Sequence, residues 1–443
     1  MSIESLIANY TEHLQKHLIQ RDVQSVKIRE KNDVRKIREH SEYSTEVGRE
    51  LDILVTRILF GWLKDGHSIL SQQHIISLCD AYMGNRQQWL RQFQEYKNTS
   101  QAVVVNVMTW QCEIRCLYCT IPKQDGKVIS KEILDQSREL LLSAPQSRLQ
   151  MRYFGGEPLL EWSKIQYSIS STWEEIQNIR EKRCQDKEVD FLITTNGIQL
   201  DAEKISWMSQ YPISLQIALD GLPESQNRFR VLVDDTLISE GNTIGSYHCC
   251  AIDKAPLLHQ YGIRYTVIQV VHPSRIHEFV DDFRHIIEKG FEIVQINWAH
   301  NTRWSTEHIE AFAHGLFELG KYLRQRWTEK RGPYLVNLKE TLLKVRVPQE
   351  LTVDWDGKIY ANNMFLFRPS LKDGMYLGQV KDGRNWLHYK IDGLLSSDKK
   401  AQSFAPKIFD NNASVGAVFS SWISWMQQEG IPDVDSWIVS RYK

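Results

Sequence analysis

Between about residue 101 and residue 330 the chain repeats one pattern six times: an apolar run with strand character, then a stretch with helical periodicity. The runs are Val103–Met108, Leu149–Phe154, Asp190–Thr194, Ser214–Leu219, Arg264–Val271 and Ile293–Trp298. The stretches between and after them are helical at Ser130–Ser143, from about Trp162 to Arg183, at Asp201–Ser209, within 221–261, at Ile276–Lys289 and at Thr306–Lys330. Strands separated by helices cannot pair as tight hairpins; they pair in parallel, with the helices packed outside the sheet. Six such units predict an α/β fold, a partial (β/α)6 TIM-like barrel over 101–335, with its chemistry at the carboxyl ends of the strands.

Those strand ends carry the unusual residues. The first strand runs into Cys112-Glu113-Ile114-Arg115-Cys116-Leu117-Tyr118-Cys119, three cysteines on one loop. Four cysteines would close a structural zinc or iron–sulfur site, whereas three leave one metal position open. By itself the spacing shows only an incomplete thiolate set, and a zinc site or plain core cysteines stay open as readings. After the second strand come Gly155-Gly156-Glu157-Pro158, where glycines permit a close backbone approach to a ligand and a carboxylate can pair with an ammonium. After the third come Thr194-Thr195-Asn196-Gly197, whose hydroxyl and amide groups suit a ribose or carboxylate, or equally an Asn-Gly turn. After the fourth come Leu219-Asp220-Gly221-Leu222-Pro223 and then Asn227-Arg228-Phe229-Arg230; Asp220 either bonds a ligand or caps its turn.

Cys-x3-Cys-x2-Cys with Tyr118 before the last cysteine resembles the radical S-adenosylmethionine (SAM) enzymes, and Gly155 to Pro158 match that family's Gly-Gly-Glu-Pro element letter for letter. The resemblance implies a [4Fe–4S] cluster on Cys112, Cys116 and Cys119, with SAM on the open iron. It implies Tyr118 beside the adenine, Gly155, Gly156, Glu157 and Pro158 at the methionine end, and Thr195, Asn196 and Asp220 as further SAM contacts. The Thr-Asn-Gly and Leu-Asp-Gly elements are similar to the peptide- and protein-modifying branch that includes the sulfatase maturases. Whether Arg228 or Arg230 matches the arginine of that branch is open. The implied activity is reductive cleavage of SAM to a 5′-deoxyadenosyl radical that takes a hydrogen from a peptide or protein, as in ribosomal peptide maturation. The alternatives are a small-molecule natural-product substrate, or a cluster-bearing binding protein without radical chemistry. An electron donor such as flavodoxin or ferredoxin is implied as a partner, and no catalytic acid, base or hydrogen donor is identifiable.

The flanks are of different character. Residues 1–100 carry helical periodicity, as in Leu51, Leu54, Val55, Ile58, Leu59 and Trp62, and predict a helical N-terminal domain. Within it, Lys27 to Arg38 alternates charge sign, as a solvated helix face does, and Cys79 sits on an apolar stripe. Residues 336–443 predict a small α+β extension: a hairpin over Leu351–Tyr360 with an Asp356-Gly357 turn, a strand at Tyr376–Val380 and a helix at about Ser414–Glu429. The hairpin resembles the SPASM-type extension, which holds auxiliary clusters; here no cysteine follows Cys250, so no auxiliary cluster is expected there. Adjacent Cys249 and Cys250 fit poorly around one cluster, and Cys184 stands in a charged segment.

The formal net charge of −1 across 443 residues gives no general attraction to nucleic acid or to an acidic membrane surface. No apolar run reaches 18 residues, Met1 to Ser5 read as no signal peptide, and seven cysteines do not suggest a disulfide framework. A cytoplasmic location is expected.

Overall fold

The computed structural model describes residues 101–183, 187–232, 245–300, 302–329, 332–338, 350–361, 375–384 and 414–428, with Asn363, Trp386 and Tyr389. All lie in one compact unit spanning 101–443. The expected helical domain over 1–100 and Cys184 fall outside the described residues, as do residues 233–244.

The elements follow in chain order: β1 (Gln101–Thr109), β2 (Ile114–Cys116), α1 (Lys131–Leu142), β3 (Arg148–Gly155), α2 (Trp162–Arg183), β4 (Glu188–Thr195) and α3 (Ala202–Met208). Next are β5 (Ile213–Ala218), α4 (Pro223–Phe229), β6 (Arg230–Leu232), α5 (Ala255–Gln260), β7 (Arg264–Val271), α6 (Phe279–Glu288), β8 (Ile293–Trp298) and α7 (Thr306–Thr328). The chain then adds β9 (Tyr334–Leu335), β10 (Glu350–Val353), β11 (Lys358–Tyr360), β12 (Tyr376–Gln379) and a last helix, α8, over 414–428.

The six expected strands are β1, β3, β4, β5, β7 and β8, and they stand side by side in that order, each pair parallel. The mostly parallel sheet has helices between successive strands, the TIM-like arrangement that the alternation predicts. Local chemistry places the helices. Ser130 caps α1 by accepting from the Ile133 amide at 3.2 Å, and Leu134, Leu140 and Leu141 turn inward at helical spacing. Asp201 and Ser305 cap α3 and α7 in the same way.

The two faces of the sheet differ. Met151, Tyr153, Phe191, Ile193, Leu215, Ile217, Tyr265 and Val267 belong to the main buried core, and Tyr153 hydroxyl lies 3.0 Å from Ser168 Oγ on α2. These residues therefore face the helices. Their neighbours, including Arg152, Thr194, Gln216, Gln295 and Asn297, are half-buried and hydrogen-bonding, among them Thr194 to Gln216 at 2.9 Å and Gln295 to Asn297 at 3.1 Å. A filled TIM barrel packs its interior with branched apolar chains; this inner face mixes such chains, Leu192 and Ile268 among them, with the polar groups above.

The hairpin expected in the extension forms, but it is not separate from the barrel. β10 lies parallel to β1, with Val103 opposite Glu350 and Asn106 opposite Val353. β11 and β12 then continue the same ten-stranded sheet in antiparallel fashion, and β9 extends its other edge. That is why every β1 residue beyond Gln101 is buried: strands cover both its edges and its two faces are covered as well. Trp110 Nε1 donates to Asp354 Oδ1 at 2.9 Å and ties the end of β1 to the hairpin. The last helix packs on α7, its Trp422, Trp425 and Met426 closing around Gly320 and its Phe419 stacking on Phe312. Among the described residues, no helix is long and apolar enough to cross a membrane.

Asp282 of α6 is a buried carboxylate in a structural place. It accepts from the Leu222 amide at 2.9 Å and from Ser225 hydroxyl at 2.7 Å, holding the start of α4. Burial pushes its pKa up to about 7, against those two bonds and nearby Arg275. The folded state thus keeps a proton on Asp282 at pH values where the unfolded chain has released it. The stabilisation is complete below the unfolded value of about 4 and is lost as pH rises through about 7. Asp282→Asn is expected to remove this dependence: urea unfolding of wild type and variant at pH 5 and pH 7 should show wild type losing up to about 1.4 kcal/mol per pH unit relative to the variant. Equal pH dependence in both proteins would refute the assignment.

Candidate functional site

The cysteine loop is fastened on both sides by backbone hydrogen bonds. At its start, β1 and β3 run on side by side past their last regular pair. The Gly156 amide donates to Thr109 carbonyl oxygen at 2.7 Å, and the Glu157 amide donates to Gln111 carbonyl oxygen at 2.8 Å. This approach requires the glycines. A Cβ at Gly155, whose φ is +135°, would stand 2.4 Å from Thr109 oxygen, and one at Gly156 would stand 1.9 Å from Gln111 oxygen. On the side where a Cβ would stand, the glycine pair lies against the chain that leads into the cysteines.

At its far end the loop forms a two-stranded antiparallel ribbon that the sequence did not suggest. β2 pairs with β6, setting Ile114 opposite Leu232, Arg115 opposite Val231 and Cys116 opposite Arg230. The Leu117 amide adds a bond to Phe229 oxygen at 2.9 Å. The ribbon fixes Arg230 beside the middle cysteine. Of the two arginines left open, Arg230 is the one turned inward, while Arg228 is exposed.

Arg230 is 4% exposed and Asp220 2%. Nε and Nη2 of Arg230 donate to the two oxygens of Asp220, each at 3.0 Å, the planar fork that suits a carboxylate. Asp220 also accepts from Tyr118 hydroxyl at 2.5 Å and from the Val270 amide at 3.3 Å. Burial opposes the charge on Arg230, but Asp220, Tyr118 and Cys116 together outweigh it, and the guanidinium is held well above its ordinary pKa. Burial pushes Tyr118 well above its usual value.

A second network joins β3 to β4. Glu157 is fully buried and caps the short helical turn Pro158–Glu161, accepting from the Leu159 amide at 3.0 Å. It also accepts from Thr195 hydroxyl and from the Asn196 amide, both at 2.7 Å. Burial pushes its pKa up to about 7 in spite of these donors, with Glu113 adding to the rise. Asn196 does two things at once. Its Oδ1 accepts from the Ile198 amide at 2.9 Å and makes the turn, while its Nδ2 reaches Cys112 Sγ at 3.7 Å and Glu113 at 3.3 Å. Gln199 holds the other oxygen of Glu113 at 2.8 Å.

Cys112, Cys116 and Cys119 are free thiols, each partly exposed. Burial raises the first two, Cys116 to about 11 with Cys119 and Cys112 near enough to add to the rise, while Arg230 acts in the opposite direction. Donors face the sulfurs: the Ile114 amide at 3.4 Å and Asn196 Nδ2 on Cys112, and Arg230 Nη1 at 3.7 Å on Cys116. Among the described residues, no three His, Cys, Asp or Glu side chains converge on a position for a single metal ion. Three separate thiols on one loop, two of them facing N–H donors, fit a multi-iron cluster, whose sulfurs such donors stabilise.

Cys112, Cys116, Tyr118, Glu157, Thr195, Asn196 and Asp220 stand at or just beyond the carboxyl ends of β1, β3, β4 and β5 and take part in these two networks. Arg230 joins them from the pair of arginines left open, and Gln199 is an addition. Cys249 lies near Glu113 and points its thiol at Ser246 oxygen, 3.3 Å away; Cys250 is buried and bonded in the same way to Tyr247 oxygen.

No family model matches the chain. Among solved structures, it is similar to native anSMEcpe with bound AdoMet, with a TM-score of 0.53 at 15% sequence identity over 66% of this chain and 80% of that one. It is similarly close to native anSMEcpe with bound AdoMet and the Cp18Cys peptide, with a TM-score of 0.53 at 14% identity over 67% of this chain and 82% of that one. At such identity the likeness is one of fold.

Proposed function

We propose that this chain is a radical SAM enzyme that acts on a peptide or protein substrate. The observation that carries the reading is the thiol loop itself: three free cysteines at the carboxyl end of β1, with an amide and a guanidinium aimed at two of their sulfurs. A fold shared with a protein that binds AdoMet supports it. In this reading Cys112, Cys116 and Cys119 hold a [4Fe–4S] cluster. When bound and reduced, the cluster supplies the electron that splits SAM and so yields the radical that takes a substrate hydrogen.

The chain's own residues bind and orient. Gly155 to Pro158 serve the methionine end, and Thr195 and Asn196 serve SAM from the end of β4, where both are already held by Glu157. Tyr118 serves the adenine, its ring pinned because Asp220 holds the hydroxyl. The inner face of the sheet carries hydrogen-bonding groups, Gln216 and Asn297 among them, below this site. A peptide substrate is favoured because the anSMEcpe fold accommodates one together with AdoMet. Water exclusion and aim are what such a protein adds to cofactor chemistry.

The test is anaerobic. Reconstituted with iron and sulfide and given SAM and dithionite, the wild type is expected to form 5′-deoxyadenosine, and Cys116→Ala none. An iron–sulfur spectrum without product, with or without added peptide, would refute the enzyme reading.

A further inference from the structure

We propose that Arg230 is a positioning residue that sets the reduction potential of the cluster through the sulfur of Cys116. The inference rests on the cluster reading above and concerns a contact made by this chain's own residues. Four observations carry it. Arg230 is the cross-strand partner of Cys116 in the β2–β6 ribbon, so the two backbones are in fixed register. Nη1 of Arg230 stands 3.7 Å from Cys116 Sγ, the donor distance expected for a large sulfur acceptor. Nε and Nη2 are both engaged by Asp220, so the guanidinium cannot rotate away from the sulfur. Asp220 is in turn held by Tyr118, by the Val270 amide and, through its own amide, by Gln226 Oε1 at 2.8 Å.

The physics has a definite sign. Adding an electron to a cluster makes it more negative. An N–H donor and a positive charge at a ligand sulfur stabilise that state and raise the potential. Little water reaches Arg230, so the charge is weakly screened. Asp220 contributes the opposite field from slightly farther away. The pair therefore acts as an adjustable dipole whose positive end meets the sulfur: removing the guanidinium should lower the potential, and neutralising the carboxylate should raise it. An arginine with a merely structural role predicts no such pair of opposite shifts, because loosening the loop affects both variants in the same direction.

The experiment is an EPR-monitored redox titration of the reconstituted protein without SAM, with iron and sulfide counted on the same samples. Arg230→Gln is expected to lower the reduced-to-oxidised ratio at fixed solution potential about tenfold, which is about 59 mV for one electron. Asp220→Asn, which keeps an acceptor for Tyr118, is expected to shift it the other way. Should Arg230→Gln not take up iron, the double variant Arg230→Gln/Asp220→Asn leaves no unpaired buried charge. Its potential is then expected to lie below that of Asp220→Asn. Unchanged potentials, or single variants that move in the same direction, would overturn the inference while leaving the cluster reading intact. A wild type that takes up no iron and sulfide would overturn both.

Discussion

Asp220→Ala is expected to lower the free energy of unfolding by about 3–5 kcal/mol. The residue is 2% exposed, and three partners lose their acceptor together: both Asp-facing nitrogens of Arg230, Tyr118 hydroxyl and the Val270 amide. Most of the cost is the Arg230 charge, which is 4% exposed and would be left buried with no carboxylate. Asparagine keeps one oxygen acceptor for Tyr118 and Arg230 but leaves the same charge without a carboxylate, so it should recover only part of the loss. Exposed ion pairs at the other end of the scale, such as Lys321 with Glu318, contribute little. Urea denaturation of the metal-free protein, in which the cysteine loop has no cluster to brace it, measures the effect directly. A loss under about 1 kcal/mol would mean that the 220–230 network relaxes to admit water.

Gly156→Ala is the second large effect, expected at about 3 kcal/mol, because overpacked sites that cannot relax sit at the upper end of the usual range. The added Cβ would lie 1.9 Å from Gln111 oxygen and 2.6 Å from its carbonyl carbon, both backbone atoms. Relief requires β1 and β3 to part just where the cysteine loop departs, with loss of the bonds from Gly156 and Glu157 amides to Thr109 and Gln111. The variant should therefore lose iron uptake as well as stability. Gly126→Ala is the control. Its φ is +72° but nothing stands within 4 Å of the new Cβ, so only the backbone preference of about 1 kcal/mol is lost and iron uptake should match wild type. Equal losses at the two glycines would show that the Gly156–Gln111 approach relaxes to admit a Cβ.

Much of the site was legible from the sequence because its residues are anchored to regular strands. Gly155, Thr195 and Asp220 each follow directly on an apolar run whose composition and period declare it a strand, and Cys112 follows its run after three residues. A parallel sheet then aligns those ends without further information. The outer core was legible for the same reason, since Tyr153, Phe191 and Ile217 alternate with half-buried neighbours. The choice between Arg228 and Arg230 was not legible. It depends on a ribbon of three-residue strands, β2 and β6, too short to leave a periodic signal and paired over more than a hundred residues. The double duty of Asn196, turn-former through Oδ1 and cysteine-facing donor through Nδ2, was likewise hidden, because a side chain's second partner comes from another segment.

By itself, then, the sequence determined the βα alternation, the order of the strand ends and the cysteine triad, all properties of local period and spacing. The tertiary structure alone decided three things. Hairpin β10–β11 joins β1 and continues the sheet, because an exposed parallel edge takes whatever strand reaches it. Glycines 155 and 156 face the Thr109–Gln111 backbone, because two strands must nearly touch for the loop to be fastened. Arg230 comes to rest between Asp220 and Cys116, because a buried guanidinium is stable only where a carboxylate already waits for it.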